Sequence, residues 1–263
     1  MRVGVVGAGG KMGREVCATV AADPELELVA AIDPEVAGEE VAGLPIAVDL
    51  AALVDGGAEV VVDFTRVEAA RSTLAWAAEH GLHVVVGTTG FDDQDMATLH
   101  RLFAGPDQGT PNCILAPNFA IGAVLMMRFA EIATPWFDEA EIVELHHDGK
   151  IDAPSGTSMQ TAQRMAAARS AAGANPFPAD RTTRVMVEGA RGGAGPGGVR
   201  MHSVRLRGLV AHQEVLFGAT GQGLTIRHDS YERTSFMAGV VLAVKAVADR
   251  PGLTLGLEPL LGF

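Results

Sequence analysis

The sequence is short of cysteine and of basic residues, and no apolar run in it reaches the length of a bilayer span. Its two cysteines, Cys17 and Cys113, lie in apolar periodic segments without a CxxC spacing, which leaves no material for a disulfide framework or a zinc knuckle and fits a reducing cytoplasm. Lysine and arginine number 20 against 32 acids, a net charge of −12, so a broad electrostatic hold on nucleic acid or an anionic membrane is not expected. An anionic ligand would need a local site that overrides the global field. The first apolar run begins at Arg2, so no signal or transit peptide is expected. What the 263 residues do hold is apolar material, 48% of the chain, enough for the cores of two modest domains.

Residues 2–6 are a short apolar run, followed by glycines, then Met12, Val16 and Val20 at helical spacing, then a second apolar run at 26–32. That order reads strand, turn, helix, strand. The rhythm continues with EVVVDFT (59–65), an alanine-rich helix over 67–80, HVVVGTTG (83–90), a helix over 92–103 and NCILAPN (112–118). Strands that alternate with helices and are apolar throughout indicate a parallel sheet covered on both faces. After a helix over 121–133 the pattern changes. EAEIVELHH alternates, and residues 199–230 read as strands separated by glycine turns, a half that looks antiparallel with one solvated face. A helix over 157–171 leads into a Gly/Pro/Arg-rich loop, 173–198, without apolar periodicity. The last apolar helix, from Ser235, is too hydrophobic to stand alone and is expected to pack on the first domain.

GAGGKMG, Gly7 to Gly13, sits between a strand and a helix, where glycines permit a tight turn and let backbone N–H groups approach a pyrophosphate. The spacing departs from GxGxxG, because Met12 holds the sixth position and the last glycine falls at Gly13. Asp33 ends the second strand, 20 residues after Gly13, where a carboxylate would bind the adenosine ribose hydroxyls. A structural turn followed by a strand-end acid is the alternative, but the whole series in order favours dinucleotide binding. GTTG (87–90) and APNF (116–119) both follow buried strands, at the carboxyl edge where open parallel sheets bind ligands.

ELHHDGKIDAPSGT, residues 144–157, holds two histidines, a lysine and three acids before a small-residue helix start. Adjacent strand residues point to opposite faces, so His146 and His147 are poorly placed to share a metal ion, and no metal is expected. Gly149 lets the chain turn so that Lys150 can come back towards His146, and Thr157 and Gln160 have capping-box spacing. N–H groups around Gly156 and Thr157 would make an anion site for a carboxylate. Two proton donors beside a carboxylate cradle suit reduction of a conjugated imine or enamine acid, where a hydride arrives from a nicotinamide and a proton must be delivered opposite to it.

GAGGKMG, DFT, GTTG, APNFAIG, ELHHDGKIDAPSGT, GLVAHQEVLFG and LTIRHDS together resemble the dihydrodipicolinate reductase family over nearly the whole chain. The HHxxKxDAPSGT element is the specific part of the match. The resemblance implies an α/β protein: a Rossmann-like nucleotide domain (1–118, completed by 235–263) and an α+β mixed-sheet domain (119–234) that binds substrate and assembles a homotetramer. It implies reduction of 4-hydroxy-tetrahydrodipicolinate, a small cyclic dicarboxylate, to tetrahydrodipicolinate with NADH or NADPH in diaminopimelate and lysine biosynthesis. Position by position it places His146 as catalytic acid/base and Lys150 as proton donor, with His147, Ser155, Gly156 and Thr157 at substrate. Gly7, Ala8, Gly9, Gly10, Lys11, Met12, Asp33, Gly87, Thr88, Thr89, Ala116, Pro117, Asn118 and Phe119 fall at the cofactor. Arg227 and His228 could add positive charge for the second carboxylate, or Arg227 could simply be paired structurally. Where the family pattern has an arginine suited to a 2′-phosphate after the strand-end acid, this chain has Pro34.

Two other classes compete. Another two-domain reductase acting through a cysteine thioester would need Cys113 as nucleophile, yet Cys113 lies within an apolar strand rather than at a helix start that would lower its pKa. A non-catalytic dinucleotide sensor would have no use for His146 and Lys150, and it would usually bring a basic segment that this acidic chain lacks.

Overall fold

RVGVV becomes β1 (Arg2–Val6), its last four residues fully covered, and the glycine turn after it feeds α1 (Lys11–Ala22), whose buried Gly13, Val16, Cys17 and Val20 mark one helical face. The computed structural model describes residues 1–263. The chain divides into two units, Met1–Ile121 with Arg233–Phe263, and Gly122–Glu232.

In the first unit β2 (Glu27–Ile32), β3 (Glu40–Val41), β4 (Leu44–Ala47), α2 (Ala51–Asp55), β5 (Val60–Asp63), α3 (Val67–Glu79), β6 (His83–Val86), α4 (Asp93–Leu102) and β7 (Cys113–Leu115) follow in order. The eight-stranded sheet runs β13-β7-β6-β5-β1-β2-β4-β3, with β13 (Leu253–Leu255) coming from the end of the chain. All its pairs are parallel except β3 with β4. From β1 the chain works outward to β2 and β4, then returns to pair β5 on the other side of β1. The glycine turn therefore leaves the sheet at the point where strand order reverses, which opens a crevice at the carboxyl edge. Val61, Leu74, Val84, Val86 and Phe103 are among the residues of one continuous core beneath that edge. The last helix, α7 (Met237–Ala246), belongs to this unit, with Met237, Val240, Ala243 and Val244 buried.

The second unit holds α5 (Ile121–Ala133), β8 (Glu139–His146), α6 (Gly156–Ala171), β9 (Gly193–Ala194), β10 (Arg200–Arg205), β11 (Ala211–Ala219) and β12 (Gln222–Ser230), though Ile121 itself counts with the first. Its sheet runs β12-β11-β8-β10-β9. The antiparallel expectation holds for β11 against β8 and β12 but fails for β10, which pairs parallel to β8. The reason is connectivity: α6 and the loop after it carry the chain back over the sheet before β10 begins, and a helical crossover returns a strand in the same direction. α6 is seated on the sheet by a buried polar chain. Ser158 Oγ donates to Gln213 Oε1 at 2.7 Å and Gln213 Nε2 donates to Thr161 Oγ1 at 2.9 Å, so each buried group is satisfied. No helix is long and apolar enough to cross a membrane.

Candidate functional site

The candidate nucleotide side is lined by the turns after five neighbouring strands, β7, β6, β5, β1 and β2. Gly7, at φ +81°, makes a turn that a side chain would strain, and Gly10 N–H donates to Gly7 O at 3.1 Å to close it. Gly13 resolves the irregular spacing: a Cβ there would stand 2.0 Å from Gly7 O and 2.8 Å from Ala8 Cα, so the absent side chain is what lets α1 start against the turn. The first turn of α1 contains no acid and its N-cap, Gly10, has no side-chain cap, so the positive helix end is open to a phosphate. Asp33 follows β2, where one carboxylate oxygen accepts from Gly9 N–H at 3.0 Å and the other from Glu35 N–H at 3.1 Å. Those two bonds fix the carboxylate beside the turn and leave lone pairs for hydroxyl donors. Ala8 is buried, while Gly10 and Lys11 are exposed and Met12 half-buried. Arg14 is not free to swing: its Nε donates to Gly9 O at 3.0 Å and its guanidinium pairs with Glu39, so it braces the turn.

The loops after β5 and β6 are tied by a residue that sequence reasoning did not single out. Asp63 ends β5 fully buried, and its Oδ1 accepts from Thr88 Oγ1 at 2.7 Å, Thr65 Oγ1 at 2.8 Å and Thr65 N–H at 3.1 Å. Burial raises its pKa in spite of the threonine donors. The signal was there to find, because DFT and GTTG follow strands that pair in register, Asp63 opposite Val86. The Thr88 side chain therefore faces inward and supports the loop, while Thr89 is exposed and Gly87 half-buried. At APNF, Ala116 and Phe119 are buried, Pro117 is exposed, Asn118 Oδ1 accepts from Ala120 N–H at 2.9 Å, and the Phe119 ring tilts against Phe64 at 5.6 Å.

In the second unit His146 is the last residue of β8 and Lys150 follows a turn closed by Lys150 N–H to His147 O at 3.2 Å. His147 is exposed, and Lys150 Nζ donates to Asp152 Oδ1 at 2.6 Å. Ala153–Pro154 is a cis peptide that leads into α6. The expected capping box is corrected here: the N-cap is Ser155, whose Oγ accepts from Ser158 N–H at 3.2 Å, so the helix begins at Gly156 and Thr157 falls within its first turn. Ser155 is buried with its hydroxyl committed to Ser158, and it shapes the helix start from inside. The first turn of α6 carries no acid, so its positive end lies beside the His146–Lys150 turn without a competing carboxylate of its own.

Glu144 and Arg205 complete this cluster and were not foreseen as site residues. Glu144 is two residues before His146, hence on the same sheet face, with a fully buried side chain. His146 Nδ1 hydrogen-bonds to Glu144 Oε2, and Arg205 grips both carboxylate oxygens from β10 at 2.8 and 3.0 Å. Burial alone would raise the Glu144 pKa, but hydrogen bonds from His146, Arg205 and Ser203 outweigh it and hold the carboxyl at about 2. Arg205 Nη2 also donates to Asp152 O at 2.6 Å, so the same guanidinium holds the turn that carries Lys150.

The remaining candidates separate. Arg227 Nε donates to Asp229 at 2.8 Å and its guanidinium pairs with Glu214, so ion pairing accounts for it. His228 lies on the other face of β12 against Gly122, its pKa lowered by burial. Cys113 is fully buried and burial pushes its thiol pKa up, as it does for Cys17 to about 12, so neither supplies a thiolate nucleophile.

Comparison with known proteins agrees over the full length. Residues 1–119 match the family model described as dihydrodipicolinate reductase, N-terminus, and residues 122–261 match dihydrodipicolinate reductase, C-terminus. The 4-hydroxy-tetrahydrodipicolinate reductase of Cutibacterium acnes is 51% identical over 263 residues, covering 100% of this chain and 99% of that protein. The protein of the same name from Nocardia farcinica is 50% identical over 262 residues, covering 99% and 98%. The solved structure of a dipicolinate-bound dihydrodipicolinate reductase from Paenisporosarcina sp. TG-14 is 39% identical, covers 98% of both chains and superposes with a TM-score of 0.86. An amine dehydrogenase from Mycobacterium smegmatis, 15% identical with a TM-score of 0.60 over 97% of this chain and 94% of that one, shares the fold. The chain belongs to the dihydrodipicolinate reductase family.

Proposed function

We propose that the protein is an NAD(P)H-dependent 4-hydroxy-tetrahydrodipicolinate reductase of diaminopimelate and lysine biosynthesis, acting on a small cyclic dicarboxylate. The observation that carries this reading is the run from His146 to Gly156, where an imidazole, an ammonium group and an acid-free helix start stand within one turn of chain. Its relatives bear the name, and one was solved with dipicolinate, a planar ring with two carboxylates.

The residues present fit a dinucleotide: Gly7 to Gly10 spend their N–H groups on Ile32 O, Asp33 and Gly7 O to shape the turn, Lys11 and Met12 offer theirs at an open helix start, and Asp33 stands where ribose hydroxyls can donate to it. When bound, the reduced nicotinamide supplies the hydride. Gly87 to Thr89 and Ala116 to Phe119, on the carboxyl edge of the sheet, are the loops to orient its nicotinamide half and exclude water from it. The first turn of α6, at Gly156 and Thr157, takes one substrate carboxylate, and His147 adds a donor to it. Loss of the 4-hydroxyl as water puts a proton on the leaving oxygen while the neighbouring ring carbon gives one up to form the conjugated double bond, and reducing that double bond then requires one hydride and one proton, a net uptake of one proton. His146 and Lys150 are the groups able to handle these protons, Lys150 by exchanging Asp152 for substrate.

Both cofactors are expected to serve, NADH by a few-fold. Asp33 repels a 2′-phosphate and Pro34 offers no guanidinium, while exposed Lys11 is the cation left to offset the repulsion, Arg14 being held by Glu39 and Gly9. The sheet face opposite α6 leaves Val143, Leu145, Val204 and Leu216 half-buried, which supports a homotetramer covering that face, and the buried free thiols suit a cytoplasmic protein. The test is oxidation of NADH and NADPH that depends on freshly made dihydrodipicolinate synthase product. Absence of that turnover would remove the assignment, and light scattering that showed a stable monomer would remove the tetramer alone.

A further inference from the structure

We infer that Glu144, gripped by Arg205, is a positioning residue that fixes which nitrogen of His146 handles the proton and allows that imidazole to become charged. The inference rests on the reading of His146 as the acid/base given above.

The geometry leaves little choice of tautomer. An ionised carboxylate can only accept, so the hydrogen bond between Glu144 and His146 Nδ1 places a proton on Nδ1 and leaves Nε2 as the exchanging nitrogen. Glu144 is in no position to rotate away. Arg205 Nη2 donates to Oε1 at 2.8 Å and Nη1 to Oε2 at 3.0 Å, and the side chain is fully buried. His146 itself keeps 15% of its side chain exposed, enough for contact with a bound molecule.

Charge makes the carboxylate necessary. Register sets Arg205 opposite His146 on the neighbouring parallel strand, so without Glu144 an imidazolium would form next to an unneutralised guanidinium. With Glu144 between them, one negative charge faces two positive ones and the protonated ring is tolerated. The guanidinium also reaches Asp152 O, and the Asp152 carboxylate holds Lys150 Nζ, so one connected set of bonds orients both proton donors. A purely mechanical ion pair that pins β8 to β10 would need no contact with the imidazole. The same carboxylate oxygen, Oε2, is shared by Arg205 and His146.

The test uses the full-length protein. Nitrogen-15 spectra of histidine-labelled wild type, with the His146 signals identified by their loss in His146→Gln, are expected to show the proton on Nδ1; a proton on Nε2 overturns the inference by itself. Glu144→Gln keeps the shape but removes the charge and turns one of the two acceptor oxygens into a donor. It is expected to lower kcat by about tenfold or more, part of the hundredfold or more that a positioned acid contributes, and to raise the solvent deuterium isotope effect on kcat. Substrate KM and the NADH Kd should stay near wild type, a split that a general distortion would not produce. Wild-type kcat in Glu144→Gln, or a loss of kcat matched by equal losses in KM and NADH affinity, refutes the role. Should that variant fail to fold, Glu144→Asp, which retains the charge, is expected to keep more activity than any neutral replacement, and the wild-type spectra still decide. A wild type that cannot turn over the substrate would instead remove the proposed function, which separates the two failures.

Discussion

A methyl group at Gly13 tests the nucleotide site more sharply than any change of a charged residue. The Cβ of an alanine would stand 2.0 Å from Gly7 O, 2.7 Å from Gly7 C and 2.8 Å from Ala8 Cα, all backbone atoms of the turn itself. Restoring an ordinary contact of 3.4 Å means that α1 and the turn must part by about 1.4 Å. The fold absorbs this in part: overpacking costs about 1–3 kcal/mol, and alanine in place of glycine returns about 1 kcal/mol through helix propensity. Binding absorbs it badly, because an N–H to phosphate-oxygen distance of about 2.9 Å stretched by that amount is no longer a hydrogen bond. Two such charge-assisted bonds, at about 1.5 kcal/mol each, amount to about 3 kcal/mol, or roughly a hundredfold in NADH Kd. Gly13→Ala should therefore remain folded, with a modest fall in Tm, while fluorescence titration finds NADH bound roughly a hundredfold more weakly. A folded variant that binds NADH as the wild type does would show that the start of α1 is not what holds the pyrophosphate.

Further expectations follow from the same structure. His146→Gln and Lys150→Ala should each lower kcat by about a hundredfold or more with NADH affinity unchanged, and near-normal steady-state kcat in either removes that residue's role. Lys11→Ala should impair kcat/KM with NADPH more than with NADH, the gap between cofactors widening with salt; a clear NADPH preference that ignores Lys11 would refute the assignment of Asp33 and Lys11. Ser155→Ala, which removes the cap of α6, should cost about 1 kcal/mol in urea unfolding, and no change would mean that the helix start is held without it. Glu144, lowered from 4.5 to about 2, should contribute roughly 3 kcal/mol of stability that is complete above the unfolded pKa and is lost as pH falls through 4.5 towards 2. Urea denaturation of wild type and Glu144→Gln over that range should show the steeper acid loss in the wild type, and equal slopes would refute it.

Much of the first unit was legible because its central strands are apolar on both faces and its helices carry clear periods. VVVD and HVVV are buried at nearly every residue, and α1 and α3 lie close to where their spacing put them. What escaped was short or set by distant partners. β3 has two residues and β4 contains Pro45, while LTL of β13 acquires its meaning only by pairing with Cys113–Leu115. The parallel pairing of β10 with β8 was missed for a different reason. Alternation states which face a strand buries, but it is silent on the direction of its neighbour, and that direction here is decided by the crossover through α6.

The same distinction explains the proton-handling cluster. His146 and Lys150 were legible because they share one turn of chain with the helix start that follows them. Glu144 could have been found with one more step: in EAEIVELH the residues sharing its face are Ala140, Ile142 and His146, so an acid stands on an otherwise apolar face. A buried carboxylate needs partners, since leaving it unpaired is far costlier than leaving it in water, and the adjacent imidazole on the same face was an evident first one. The second could not be read. Arg205 lies 61 residues further along, and β10 offers Arg200 as well; only the register that sets Arg205 against His146 and Arg200 against Glu141 decides which guanidinium reaches Glu144. Local chemistry thus announces that a partner must exist, and the pairing of strands names it.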